Sequence, residues 1–171
     1  MTAALRRIGA ATGLALLAAG SALAGGAPAA DDPAAPVAAL YVAEQAGRPA
    51  LADARLRAAT LTRGLDALYG RAEAEERATG DVLIDFDAVT NSQGAEVKAY
   101  GLKVERRDPR HASVVATINP GDWRRASPRE NVIRFALVVE GGRWRVDDIS
   151  GVSEPTAWSL RDVLEQNLRQ P

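Results

Sequence analysis

The apolar period of this chain changes at Gly80, and that change decides the fold class. Before it, apolar residues recur at helical spacing. Val37, Leu40 and Tyr41, with Glu44 in the same stripe, mark a helix that begins at Asp32-Pro33 and stops near Gly47 and Pro49. Residues 50–58 leave room for a short second helix. Leu65, Leu68, Tyr69 and Ala72 then repeat at i, i+3, i+4 and i+7, and Glu73, Glu75, Glu76, Arg71 and Arg77 supply the wet face. Thr62 caps the start of this longer helix and Gly80 ends it. Gly64 and Gly70 weaken it by about 1 kcal/mol each relative to Ala. Glycines so placed are expected to admit a neighbouring backbone closely.

After Gly80 the period becomes that of strands. Val82, Ile84 and Phe86 alternate with Leu83, Asp85 and Asp87, and Asn91-Ser92-Gln93-Gly94 reads as a turn. Four strand-like runs follow, at 96–107, 111–118, 131–140 and 143–149. Asp108-Pro109 turns the first pair, Asn119-Pro120-Gly121 opens a longer connection, and Glu140-Gly141-Gly142 makes a tight hairpin. Strands joined in this way form an antiparallel meander. Ser153, with Pro155 in the first turn, predicts a last helix carrying Leu160, Val163, Leu164 and Leu168 as its apolar stripe. The expected fold is α+β: N-terminal helices packed on a curved, cone-like antiparallel four-strand meander, with a C-terminal helix.

The start of the chain speaks to location. Arg6 and Arg7 precede an apolar run over 8–20, and Ala22-Leu23-Ala24 follows. A positive start, a short apolar stretch and an A-x-A site make a secretory signal peptide, here 1–24. The run is short for a bilayer span, and no Cys follows it to take a lipid anchor. The paired arginines leave both the ordinary and the twin-arginine export routes open. Residues 25–31 read as a flexible leader and 32–170 as one domain. The expected location is periplasmic or secreted, with no stable membrane insertion after cleavage.

Composition narrows the chemistry. Beyond the signal lie about 147 residues, one domain's worth, able to bury a core without disulfides. The absence of Cys removes thiolate metal sites and Cys nucleophiles, and the single histidine, His111, cannot build a multi-histidine zinc site. No Gly-x-Ser-x-Gly elbow is present. The net charge is -1, and -3 once Arg6 and Arg7 are removed, so nothing favours nucleic acid or an anionic membrane. Neither a cofactor nor a metal is expected.

Several short stretches, taken in order, carry a resemblance. They are Thr60-Leu61-Thr62, Asp85-Phe86-Asp87, Asn91-x-Gln93, the run from Glu140 through Gly141-Gly142-Arg143-Trp144-Arg145-Val146-Asp147-Asp148 to Ile149, and Ser159-Leu160-Arg161. Together these resemble the exported bacterial DUF3828-type domains of unknown function, which are similar in turn to the nuclear transport factor 2-like (NTF2-like) superfamily. The resemblance covers about Asp32 to Leu168, with Ala88 and Val89 standing where the family has Pro and an aromatic. It implies a sheet curled around helices to form a conical cavity. That scaffold serves isomerases, dehydratases, binding proteins and dimerisation modules, so fold alone does not assign a function.

On this reading a pocket forms between Tyr41, Tyr69, Phe86, Trp144 and Asp148. Strict alternation puts Trp144, Val146 and Asp148 on the inner side of the last strand. Asp148 there either acts as a general base, with Tyr41 or Tyr69 donating to an oxyanion, or accepts hydrogen bonds from a helix terminus or Arg. Asp85 and Asp87 share a face if extended, where they either hold a cation or cap a turn. His111 stands beside the Asp108-Pro109-Arg110 turn, solvated or serving as a base. Arg106, Arg107 and Arg110 gather at the first hairpin, and Arg124, Arg125 and Arg129 beside Trp123 in the second connection. These turns lie at opposite ends of a meander, so the clusters do not merge into a nucleic-acid patch. Trp123, Arg124 and Arg125 form either a partner-binding loop or a loop folded back on its own sheet.

The leading expectation is an exported, non-catalytic domain binding a small ligand or an envelope protein. One alternative is an isomerase- or dehydratase-type enzyme with Asp148 as base. Another is a dimerisation or interaction module using an open sheet face, forming a homodimer.

Overall fold

Asp32 is the first cap. Its Oδ1 accepts from the Ala34 N–H at 2.9 Å and so opens α1 (Ala34–Gln45). A computed structural model describes residues 32–94, 96–121, 125 and 127–169, so the signal and leader expected over 1–31 lie outside the described residues. α1 buries Val37, Leu40 and Tyr41. A single 3-10 turn, Ala50–Ala52, leads to α2 (Ala54–Thr60), capped by Asp53 through the N–H groups of Arg55 and Leu56 at 2.9 and 3.1 Å. α3 (Arg63–Thr79) starts at Thr62, whose hydroxyl accepts from Leu65 N at 3.2 Å. It ends at Gly80, left-handed at φ 81°.

Gly64 and Gly70 correct one expectation. A Cβ at either would meet nothing within 4 Å, so neither glycine admits a close neighbour.

The sheet has five strands where four were expected. β1 (Ala99–Arg107), β2 (His111–Asn119), β3 (Val132–Glu140), β4 (Arg143–Ser153) and β5 (Thr156–Ser159) pair antiparallel in chain order. Gly141 and Gly142, at φ 59° and 75°, make the two-residue turn between β3 and β4. The last helix, α4 (Leu160–Asn167), is capped by Ser159 rather than Ser153. The intervening residues pair back on β4, Ser153 opposite Thr156 and Gly151 opposite Trp158. Trp158 lies flat against Gly151, where a Cβ would stand 2.7 Å from the indole.

Two bulges reset the faces of the sheet. In β1 the register slips between Val104 and Arg106, leaving Glu105 extra. In β4, Leu137 faces Val146 but Ala136 faces Asp148, so Asp147 is extra. Trp144 and Val146 point to the helices, as expected. Beyond the bulge Ile149, not Asp148, takes the inward phase and is fully buried.

The inner face of the sheet and the buried stripes of the helices form one core. It includes Val114, Ile133, Phe135, Leu137, Val146 and Ile149 with Leu40, Tyr41, Leu65, Leu160 and Leu164. Tyr41 stacks on Tyr100 with centroids 4.8 Å apart and meets the edge of Phe135 at 6.0 Å. Leu61 bridges Val146, and Thr62 N donates to Val146 O at 2.8 Å, which closes the free edge of β4 before β5 begins. The other face carries Lys103, Ser113, Arg134 and Ala136, with Val115 sunk among them. Among the described residues, no helix is long and apolar enough to cross a membrane.

Candidate functional site

The charged member of the α1 stripe builds the site. Glu44 follows Tyr41 by one turn, so it enters the protein with the apolar residues, and its Oε1 accepts from Ala50 N at 2.5 Å. Asp87 meets it from the opposite side. The backbone of Asp87 pairs with Ser92, N to O at 2.7 Å and O to N at 3.3 Å. Its Oδ1 accepts from Val89 N at 2.7 Å and Thr90 N at 3.3 Å.

The Glu44 and Asp87 carboxyls are near enough to couple, and two such groups sit together most readily with one proton held between them. Burial, and then the charge of Asp87, push the Glu44 carboxyl up to about 7. Burial raises Asp87 as well, against the N–H groups of Val89 and Thr90. No described Lys or Arg forms a salt bridge with either acid.

Beside the pair opens a recess of about 160 Å³, lined chiefly by Pro49, Leu51, Tyr69, Ile84, Phe86 and Asp87. α3 supplies Tyr69. Glu76, also on α3, accepts from the N–H groups of Leu83 and Ile84 at 2.7 and 2.8 Å and so fixes the segment that presents Ile84 and Phe86. Phe86 rests edge-on against Trp158, centroids 4.9 Å apart. The guanidinium of Arg57 lies 4.8 Å from the centre of the Tyr69 ring. Arg57 is buried and neutralised by Asp66 at 3.1 Å and by a two-pronged contact with Glu73 at 2.9 and 3.1 Å. Burial, and then Glu73, push the Tyr69 hydroxyl up to about 12, with Arg57 alone opposing. Asp87 and Glu76 add to the rise.

The structure divides the five residues expected to share one pocket. Tyr69 and Phe86 share the recess, and Asp87 joins them from the expected polar step. Tyr41 is fully buried in the core, its hydroxyl donating to Val89 O at 2.9 Å. Trp144 is buried too, with the Arg107 guanidinium 5.7 Å from its ring centre. Asp148 accepts from Ser159 Oγ at 2.7 Å, Arg161 N at 3.0 Å and Ile149 N at 2.9 Å, and so ties the start of α4 to β4. Asp85 is exposed.

His111 is also exposed, its Nδ1 3.3 Å from Asp108. Arg125 turns inward and donates to the carbonyls of Asn91 and of Thr90, the latter at 2.6 Å. Trp123 and Arg124 lie outside the described residues.

Two residues were not singled out beforehand. Glu44 had a signal, as the one acid in an apolar stripe. Asn91 had none beyond its turn context, yet it ties three segments together. Its amide donates to Glu130 O at 3.0 Å and Val152 O at 2.9 Å, and its Oδ1 accepts from Ser153 Oγ at 3.1 Å and Trp158 Nε1 at 3.0 Å.

A larger, shallower trough runs over the face of the sheet away from the helices. One part, about 800 Å³, extends from the β1–β2 hairpin to Arg134 and Ser150. A second, about 340 Å³, continues from the same two residues to Trp158. Among the described residues, no group of three or more His, Asp or Glu is placed to hold a metal ion. No family model, curated protein or solved structure matches this chain.

Proposed function

We propose that this chain is an exported, non-catalytic domain that binds a small organic cation in the recess of Tyr69, Phe86 and Asp87. The observation that carries this reading is the Glu44–Asp87 pair. Asp87 lines the recess with Tyr69 and Phe86, and Glu44 is coupled to it, so that the two share one proton. An ammonium group entering there replaces that proton as counter-charge beside the rings of Tyr69 and Phe86, an arrangement that favours cations once water is excluded, like that of the Arg57 guanidinium on the Tyr69 ring. At about 160 Å³ the recess is smaller than the roughly 300–1,000 Å³ of sites for drug-sized ligands, which limits the ligand to a few heavy atoms.

Export rests on the pattern of residues 1–24. The family reading belongs to the same proposal. Helices, then a meander, then a helix is the order that resemblance to DUF3828-type, NTF2-like domains implies, and a cone-like curvature goes with it.

The test is a thermal-shift and calorimetric series with methylammonium, tetramethylammonium and choline against the neutral tert-butanol. It is run either side of the Glu44 value of about 7. Saturable binding by the cations alone is expected, tighter on the alkaline side because each bound cation releases the shared proton. Asp87→Asn abolishes it. Stabilisation that is equal for cation and neutral analogue, or absent for both, overturns the reading.

A further inference from the structure

The face of the sheet away from the helices, open among the described residues, carries an independent feature. We propose that this face docks an extended acidic segment of a partner protein. Its central rung is set by register: Lys103 pairs with Val115, Val115 with Arg134 and Arg134 with Ser150. Side chains at these positions stand on the face away from the helices.

The lining of the trough includes Arg106, Arg107, Arg129 and Arg134 against Glu105 and Asp108. Arg129 is paired with Glu154 at 3.2 Å and the Arg107 guanidinium lies by the Trp144 ring, so Arg106, with Lys103 on the same face, is left to attract an acid. Both acids are engaged. Glu105 lies 3.4 Å from Arg134, and Asp108 accepts from the N–H groups of Arg110 and His111, each at 2.7 Å. Those two bonds hold the Asp108 carboxyl below the usual range. Lys103 and Arg106 have no ion pair among the described residues.

The floor suits main chain. Ser113, Ala136 and Ser150 are small and uncharged, and leave room for a backbone between the arginines. The trough is also long. Five strands at about 4.8 Å spacing extend roughly 19 Å, the reach of an extended segment of about six residues. Its two parts meet at Arg134 and Ser150, and together they exceed what one small ligand fills. Acids at alternate positions of such a segment face the sheet together.

The test uses labelled peptides of alternating Glu and Ser, with Lys-Ser and Gly-Ser peptides as controls, read by fluorescence anisotropy on the purified chain. The Glu peptide binds, the controls do not, and binding weakens steeply with salt. Arg106→Ser with Arg134→Ser weakens it about tenfold or more, whereas Arg77→Ser at the end of α3 leaves it unchanged. Lys103→Ser with Arg106→Ser keeps the Arg134–Glu105 contact and repeats the loss if the first pair does not fold. Asp87→Asn retains peptide binding, which separates this proposal from the recess reading. The proposal is overturned by equal binding of the Lys peptide or by indifference to both double substitutions. Tighter binding to phosphatidylglycerol vesicles than to the peptide also overturns it, as does a dimer that buries this face.

Discussion

Glu44 and Asp87 make stability depend on pH in an unusual direction. The folded Glu44 carboxyl titrates near 7, above its ordinary value of 4.5, so the folded chain holds a proton that the unfolded chain gives up. The resulting stabilisation is fully present below about 4.5 and is lost as pH rises through about 7. Because Glu44 is only partly buried, the loss is about 2 kcal/mol at most. Urea melts on either side of this window measure it. Glu44→Gln supplies an amide donor in place of the shared proton and flattens the slope, and an unchanged slope refutes the pairing.

Asn91 sets a larger stake at the same scale. It is buried, left-handed at φ 52°, and makes four hydrogen bonds. Asn91→Ala strands those partners and costs roughly 3 kcal/mol by denaturant titration. Asn91→Asp costs at least as much, because an oxygen then faces the carbonyls of Glu130 and Val152. Spacing marked Glu44 as an acid in an apolar stripe but not its partner, and Asn91 carried no such mark. A carboxyl pair and a polar hub depend on segments distant in sequence. Asp148 was legible in part: it accepts from a helix terminus, as one of its two readings had it, but from the other face of the strand. Alternation aimed it inward, and one extra residue at Asp147 turned it to cap α4 instead.

Elements were legible where a period runs long enough to be counted. α1, α3 and β1 to β4 follow from their apolar stripes and from glycine and proline at their ends. β5 has only four residues and sits behind Pro155, so Ser153 read as the cap that Ser159 provides. The two kinds of glycine in these elements separate cleanly by experiment. Gly70 is helical with open space where a Cβ would stand, so Gly70→Ala adds about 1 kcal/mol and raises Tm by a few degrees. Gly151 is different, since a Cβ there sits 2.7 Å from the Trp158 ring. Gly151→Ala pushes that indole off β4, loosens its bond to Asn91, and lowers Tm. If Gly151→Ala leaves Tm unchanged or raises it, the packing of β5 on β4 is refuted.

At the scale of the whole molecule, the filled core separates two candidate surfaces. The recess belongs to the helical layer, where residues 49–52, α3 and the 84–87 segment meet; the trough belongs to the far face of the sheet. Tyr41, Phe135 and Leu137 close the space between helices and sheet, and each is essentially inaccessible to solvent. A tightly packed interior transmits strain only where an element has two arrangements to choose between. Phe86 of the recess does touch Trp158 at the end of the trough, but among the described residues no hydrogen bond or ion pair joins Asp87 to Arg134. Independent sites change stability additively, within about 0.5 kcal/mol. The double variant Asp87→Asn with Arg134→Ser should therefore lose the sum of the two single losses, with cation affinity altered only by the first and peptide affinity only by the second. A coupling well beyond that margin would mean that the sheet moves as one body when either surface is occupied, and the molecule would then be a relay between a small cation and an acidic partner rather than a carrier of two separate sites.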